Sequence, residues 1–85
     1  MAKLRSEVLA EDRAKVRRQI ENILDNDVPA LVAVIPINHK HGCVRDMIWM
    51  QIRKTLWARG LHDAQNNFRI ISECGEWYVS YKREV

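Results

Sequence analysis

Apolar residues recur at helical spacing in the first third of the chain. When this segment is wound at 100° per residue, five apolar side chains fall within about 100° of one another. They are Leu9, Val16, Ile20, Ile23 and Leu24. The pattern predicts an amphipathic helix that follows a frayed segment at residues 1–6, with Ser6 as its N-cap. Asp25-Asn26-Asp27 should end it, because these side chains compete for backbone hydrogen bonds and favour turns.

A continuous apolar run follows from Leu31 to Ile37. It is rich in β-branched residues and does not alternate with polar ones. A run this short predicts a β-strand that is buried on both faces. Pro36 has no N–H to donate to a neighbouring strand, so the strand should loosen or lie at a sheet edge there.

The longest helical pattern lies between Val44 and Gly60. Its apolar positions recur every four residues and predict a face that packs in the core. Those positions are Val44, Ile48, Ile52 and Leu56. Met50 and Trp57, one heptad apart, lie on the other side of the same helix. Gly60 should cap the carboxyl end of this helix.

The segment from Phe68 to Arg83 has the pattern of a β-hairpin with Cys74-Gly75 as a two-residue turn. This register places Ser72 opposite Trp77, Ile70 opposite Val79, and Phe68 opposite Tyr81. These pairs share one face, which we expect to be the core side.

Together these elements predict a single α+β domain over residues 1–85, in the order α-β-α-β-β. The expected architecture is α/β-like: a three-stranded mixed sheet, including the C-terminal hairpin, packed by two helices. Strand, helix and strand from Leu31 to Ser72 should form a right-handed crossover if the two strands lie parallel in one sheet. A winged helix-turn-helix is the alternative, because a helix ending in Ala58-Arg59-Gly60-Leu61 precedes the hairpin.

Composition narrows the class of protein. Of 85 residues, 47% are hydrophobic, which is enough for a folded domain. Two cysteines do not make a disulfide scaffold, and the charged N-terminus lacks the apolar core of a signal peptide. No apolar run has the roughly 20 residues that a membrane span needs. We therefore expect a cytoplasmic protein.

Basic residues suggest the first functional hypothesis. The formal net charge is +3, and basic residues occur on both predicted helices and on the hairpin. Phosphate contacts from such residues, with base stacking on Tyr78, predict a non-enzymatic RNA- or DNA-binding accessory protein. Glutamates accompany the same segments and weaken the signal. The candidate contact residues are Arg17, Arg18, Lys40, Arg45, Arg53, Tyr78 and Lys82.

The loop from Asn38 to Cys43 could serve three kinds of chemistry. At the amino end of a helix, its backbone N–H groups with Lys40 and Arg45 suit an anion. His39, His41 and Cys43 alternate as zinc ligands would in an extended segment, but no fourth ligand is indicated. A Cys–His nucleophile lacks a third group to orient it. We therefore expect no catalytic residue, metal or cofactor, and no small-molecule substrate.

A second functional hypothesis is a protein-interaction module. Met50, Arg53 and Trp57 share the face of the central helix that lies away from its core stripe. Met, Arg and Trp are enriched in protein interfaces. An exposed face of this kind would suit a homodimer, or an inhibitor or adaptor of the type that phages and mobile elements encode.

Overall fold

The computed structural model describes the backbone of residues 5–34 and 41–83, and the side chains of residues 10–34 and 43–83. The α+β class and the order α-β-α-β-β are confirmed. The elements are α1 (Arg5–Asn26), β1 (Ala30–Val34), α2 (His41–Ala58), a 3₁₀ helix (His62–Asn67), β2 (Phe68–Glu73) and β3 (Glu76–Tyr81). α1 begins at Arg5, one residue before the predicted start, and residues 1–4 lie outside the described residues.

The sheet is antiparallel throughout, with the strand order β1-β3-β2. The prediction of a mixed sheet is therefore wrong, because β3 is antiparallel to both β1 and β2. The two strands do run in the same direction, but β3 lies between them. The tight turn makes β3 antiparallel to β2. The crossover through α2 leaves a place beside β1, which β3 takes.

The hairpin has the predicted register. Phe68 pairs with Tyr81, Ile70 with Val79, and Ser72 with Trp77. Cys74 and Gly75 have φ of 52° and 78°. Two successive positive φ values are those of a type I′ turn, whose twist matches that of the flanking strands. Cysteine is an unusual residue for the first of these positions.

Both helices pack on one face of the sheet, and the core lies between these two layers. The predicted helical stripes are buried at every core position given for α2 and at Val16, Ile20 and Ile23 of α1. Val34, Phe68, Val79 and Tyr81 close the core from the sheet side.

The prediction that β1 is buried on both faces is wrong. Leu31 is 64% exposed and Ala33 is also exposed, whereas Val34 is buried. β1 is an edge strand of a sheet that the helices cover on one side only, so its residues alternate between core and solvent. The predicted strand continues to Ile37, and residues 35–37 lie outside the described residues.

Asp27, which follows α1 and has φ of 48°, links that helix to the C-terminal segment by hydrogen bonds. Tyr81 donates its hydroxyl hydrogen to one oxygen of the Asp27 carboxylate at 2.8 Å, and Arg83 Nη1 binds the other at 2.6 Å. Arg59, just after α2, forms an ion pair of 2.7 Å with Asp25. The two helices and β3 are therefore joined at one end of the molecule.

Gly60 ends α2 as predicted. Its φ is 70°, and the N–H groups of Gly60 and Leu61 donate to the carbonyls of Trp57 and Leu56. This is the bonding pattern of a Schellman cap.

The winged helix-turn-helix alternative needs two α-helices between β1 and β2. Between these strands the described residues contain α2 and a 3₁₀ helix of six residues. α1 and α2 are separated by β1, so they do not form the motif either. Within the described ranges, no helix is long and apolar enough to cross a bilayer.

Candidate nucleic-acid interface

α1 and α2 lie side by side, and a groove of about 460 Å³ opens between them. Four of its lining side chains are basic, and the residues described as lining it include no acidic one. We call it the interhelical groove. Its walls are Ala10, Arg13, Ala14, Arg17 and Arg18 from α1, with Gln51 and Lys54 from α2.

The helical repeat explains why these residues meet. Arg13 and Arg17 are one turn apart, about 6 Å along the helix axis, on the flank of the α1 core stripe. Ala10 and Ala14 are small and leave space between the cations. Gln51 is buried at 4% exposure, so it lies low in the groove while the basic side chains are exposed to solvent.

The buried polar residues of α2 are hydrogen-bonded. Thr55 donates its hydroxyl hydrogen to the carbonyl oxygen of Gln51 at 2.7 Å, within the helix. Among the described side chains, no buried nitrogen or oxygen atom lacks a partner. Among the described residues, the two helices therefore support the exposed cations without leaving a buried polar side-chain atom unpaired.

Among the residues whose side chains are described, the groove cations form no ion pair. Within the described part of the chain, Arg13, Arg17, Arg18 and Lys54 have no salt-bridge partner, whereas Arg59 and Arg83 are paired with Asp25 and Asp27. A guanidinium group binds a phosphate through two parallel hydrogen bonds. Of these six basic residues, two join elements of the fold and four remain available to an anionic ligand.

A second recess of about 370 Å³ continues the interhelical groove. It shares Arg13, Gln51 and Lys54 with the first recess, and adds Cys43, Met47, Met50 and one acidic residue, Asp46. The two recesses together carry four basic residues and one acidic residue. The electrostatic bias is strongest at the Arg17–Arg18 end.

The structure separates the predicted contact residues. Arg17 and Arg18 line the interhelical groove. Arg45 and Arg53 are exposed on α2 but do not line either recess. Lys40 lies outside the described residues.

Tyr78 and Lys82 belong to the opposite side of the molecule. Tyr78 lies on the sheet face opposite the one that α1 and α2 cover, and the alternation of β3 places Lys82 on that face too. The Tyr78 hydroxyl donates to the carboxylate of Glu76, and this hydrogen bond raises the pKa of Tyr78. Glu73 and Glu76 pair across the hairpin on the same face and disfavour phosphate there.

Arg13 and Lys54 are the groove residues that the sequence did not single out. Both stood among the basic residues of the two helices. They lie in the same groove because one flank of α1 packs against one flank of α2. A helical wheel of a single helix does not show which flanks are in contact. The available signal was the i, i+4 spacing of Arg13 and Arg17, repeated by the small residues Ala10 and Ala14.

The face formed by Met50, Arg53 and Trp57 is solvent-exposed. Met50 is 52% exposed and Trp57 63% exposed. Trp57 makes an edge-to-face contact with His62, with 5.7 Å between ring centroids. That contact orients the indole on the surface without covering it.

The loop with the predicted anion, zinc and thiol chemistry is described only from His41 onward. Cys43 is exposed and unpaired with another cysteine. Among the residues whose side chains are described, no group of three His, Cys, Asp or Glu residues is arranged to hold a metal ion. His39 and Lys40 lie outside them.

Comparisons with protein-family models, curated proteins and solved structures returned no match to this chain.

Proposed function

We propose that this protein binds nucleic acid, and that the interhelical groove contacts the phosphate backbone. The observation that carries the proposal is the convergence of Arg13, Arg17, Arg18 and Lys54 on one recess without an ion-pair partner among the described residues. Four unpaired cations at one site repel each other. An anionic ligand would remove that repulsion and release its own counterions.

The chemistry of the groove favours backbone contact over base reading. Arginine and lysine bind phosphate in any sequence, and specificity comes from side chains that reach base edges. Gln51 is the one polar uncharged residue in the lining, and it is buried. The proposal is therefore binding with little sequence preference, with a dissociation constant on the order of 10⁻⁴–10⁻⁶ M at physiological salt.

The direct test is fluorescence anisotropy with labelled single-stranded RNA, double-stranded RNA and duplex DNA. Arg18→Glu should weaken binding to the preferred ligand by about tenfold or more, because a phosphate contact becomes a repulsion. Lys15→Glu is the matched control. Lys15 is exposed on the same helix but does not line the groove, and the change in net charge is identical.

Two results would contradict the proposal. One is that wild-type protein binds none of the three ligands more tightly than about 10⁻⁴ M at physiological salt. The other is that Lys15→Glu and Arg18→Glu lose affinity equally, which would assign the effect to net charge rather than to the groove. Circular dichroism of each variant checks that the helices remain folded.

A second candidate function is protein binding through Met50, Arg53 and Trp57. The exposure of Met50 and Trp57 favours it, since exposed aromatic and thioether side chains beside arginine are common in interface centres. The Met50→Ala, Trp57→Ala double variant should lose a partner selected by the wild type from a displayed peptide library. Retention of that partner by the double variant would exclude this face.

A further inference from the structure

The side of the sheet that faces away from α1 and α2 carries exposed side chains, and we call it the open sheet face. By the strand register, Ala33, Tyr78 and Ile71 form its middle row, and Ile71 is 39% exposed. Leu31, 64% exposed, lies in the next row, level with Ser80 and Arg69. Arg69 lies at one end of β2 and Glu73 at the other. The face is therefore apolar in the centre and charged at its ends.

The positive and negative charges on this face lie at opposite ends of the strands. Arg69 and Lys82 lie at the end away from the hairpin turn, and Glu73 and Glu76 lie beside the turn. Arg69 and Glu73 are four residues apart on one extended strand, about 13 Å, too far to pair with each other. Each end therefore carries a charge that another molecule can neutralise.

From this arrangement we propose that the open sheet face binds the same face of a second copy of this chain. A two-fold axis perpendicular to the strands would bring Arg69 of each copy opposite Glu73 of the other. An axis parallel to the strands would place like charges together, so the charge pattern selects the antiparallel arrangement. Isologous contacts of this kind are the commonest in homo-oligomers.

The two strands place the axis within about one residue of the same level. Arg69 and Glu73 are centred on Ile71, and Glu76 and Lys82 are centred on Val79. Ile71 pairs with Tyr78, the residue before Val79, so the two centres differ by one residue, about 3.3 Å. Ile71 would then meet its counterpart near the centre of the interface, with Tyr78 and Ala33 in the same row.

The area of the open sheet face limits the affinity of the proposed dimer. Three strands about 4.8 Å apart and about 20 Å long present on the order of 300–450 Å² per copy. Stable dimers bury about 1,200–2,000 Å² in total, so this interface lies below that range. The expected dimer is therefore weak, with a dissociation constant on the order of 100 µM, and weakened by salt.

Sedimentation equilibrium with charge-swapped variants tests the arrangement. Arg69→Glu and Glu73→Arg should each raise the dissociation constant about tenfold or more, because each creates two like-charge contacts per dimer. An equimolar mixture of the two variants should associate again, since both contacts become opposite in charge. The Arg69→Glu, Glu73→Arg double variant should likewise regain self-association.

Several outcomes would overturn the proposal. They are a monomeric wild type at about tenfold above the expected dissociation constant, failure of the mixture and double variant to associate, and loss of association in the Met50→Ala, Trp57→Ala variant alone. A Tyr78→Ala change that weakens RNA binding in a strictly monomeric protein would assign the face to nucleic acid instead. None of the sheet substitutions touches the interhelical groove, so this test and that of nucleic-acid binding fail independently.

Discussion

Replacement of Asp27 tests the account of how the two helices and the C-terminal segment are joined. Asp27 has a positive φ of 48° and accepts hydrogen bonds from Tyr81 and Arg83. Alanine would lose both bonds and would tolerate this backbone conformation poorly. Asparagine keeps an oxygen for Tyr81 and is one of the few residues that adopt this conformation readily. Glycine removes the side chain without backbone strain.

The contribution of each Asp27 interaction to the free energy of unfolding follows from its exposure and geometry. The bond from the partly buried Tyr81 hydroxyl should contribute about 1 kcal/mol. The pair with Arg83 contributes less than about 0.5 kcal/mol, because the two side chains are 68% and 44% exposed. Backbone strain in alanine adds about 1 kcal/mol. We expect losses of about 2 kcal/mol for Asp27→Ala, about 1 for Asp27→Gly and under about 0.5 for Asp27→Asn.

Urea denaturation followed by tryptophan fluorescence measures these differences. With a slope of about 1 kcal/mol per molar urea for a domain of this size, Asp27→Ala should lower the midpoint by about 2 M. The order of the three variants matters more than the absolute values. If Asp27→Asn were as destabilising as Asp27→Ala, the conformational and hydrogen-bond arguments would both be refuted.

Three further predictions concern the turns and the core tyrosine. Cys74→Asn should raise the free energy of unfolding by about 0.5–1 kcal/mol, because Asn-Gly is the preferred pair for a type I′ turn, and urea denaturation would detect it. Gly60→Ala should lower stability by about 1 kcal/mol through its φ of 70° alone, since an added Cβ meets no atom within 4 Å; a loss above about 3 kcal/mol in the same assay would contradict this. Burial and the hydrogen bond to Asp27 raise the pKa of Tyr81, so its contribution to stability is present below about pH 10 and is lost as pH rises through the higher folded value. Tyr81→Phe should therefore flatten the fall in stability at alkaline pH, whereas a profile as steep as that of the wild type would argue against it.

Local patterns were sufficient for much of the fold. The helical stripes, the Gly60 cap and the hairpin register depend on neighbours along the chain or across one tight turn, and the structure confirms them. The order β1-β3-β2 depends on long-range pairing. The sequence contains no direct signal for which strand lies beside β1, so the mixed sheet was a natural error.

The prediction that β1 is buried on both faces was wrong for the same reason. Leu31 and Ala33 are apolar in sequence, but whether a second layer covers them depends on where the helices pack. The candidate site shows a similar division. Arg17 and Arg18 were identified from charge, whereas Arg13 and Lys54 required the contact between two helices, and Tyr78 proved to lie on the opposite face.

The salt dependence of binding is the sharpest test of phosphate contact in the interhelical groove. For duplex DNA, the slope of log K against log salt concentration falls by about 0.9 for each phosphate contact that is lost. Arg17→Ala, Arg18→Ala should therefore make the slope shallower by about 1.8, or by about 1.4 for single strands, while Lys15→Ala leaves it unchanged. An unchanged slope in the Arg17, Arg18 variant would contradict the assignment of the interhelical groove as the phosphate-binding site.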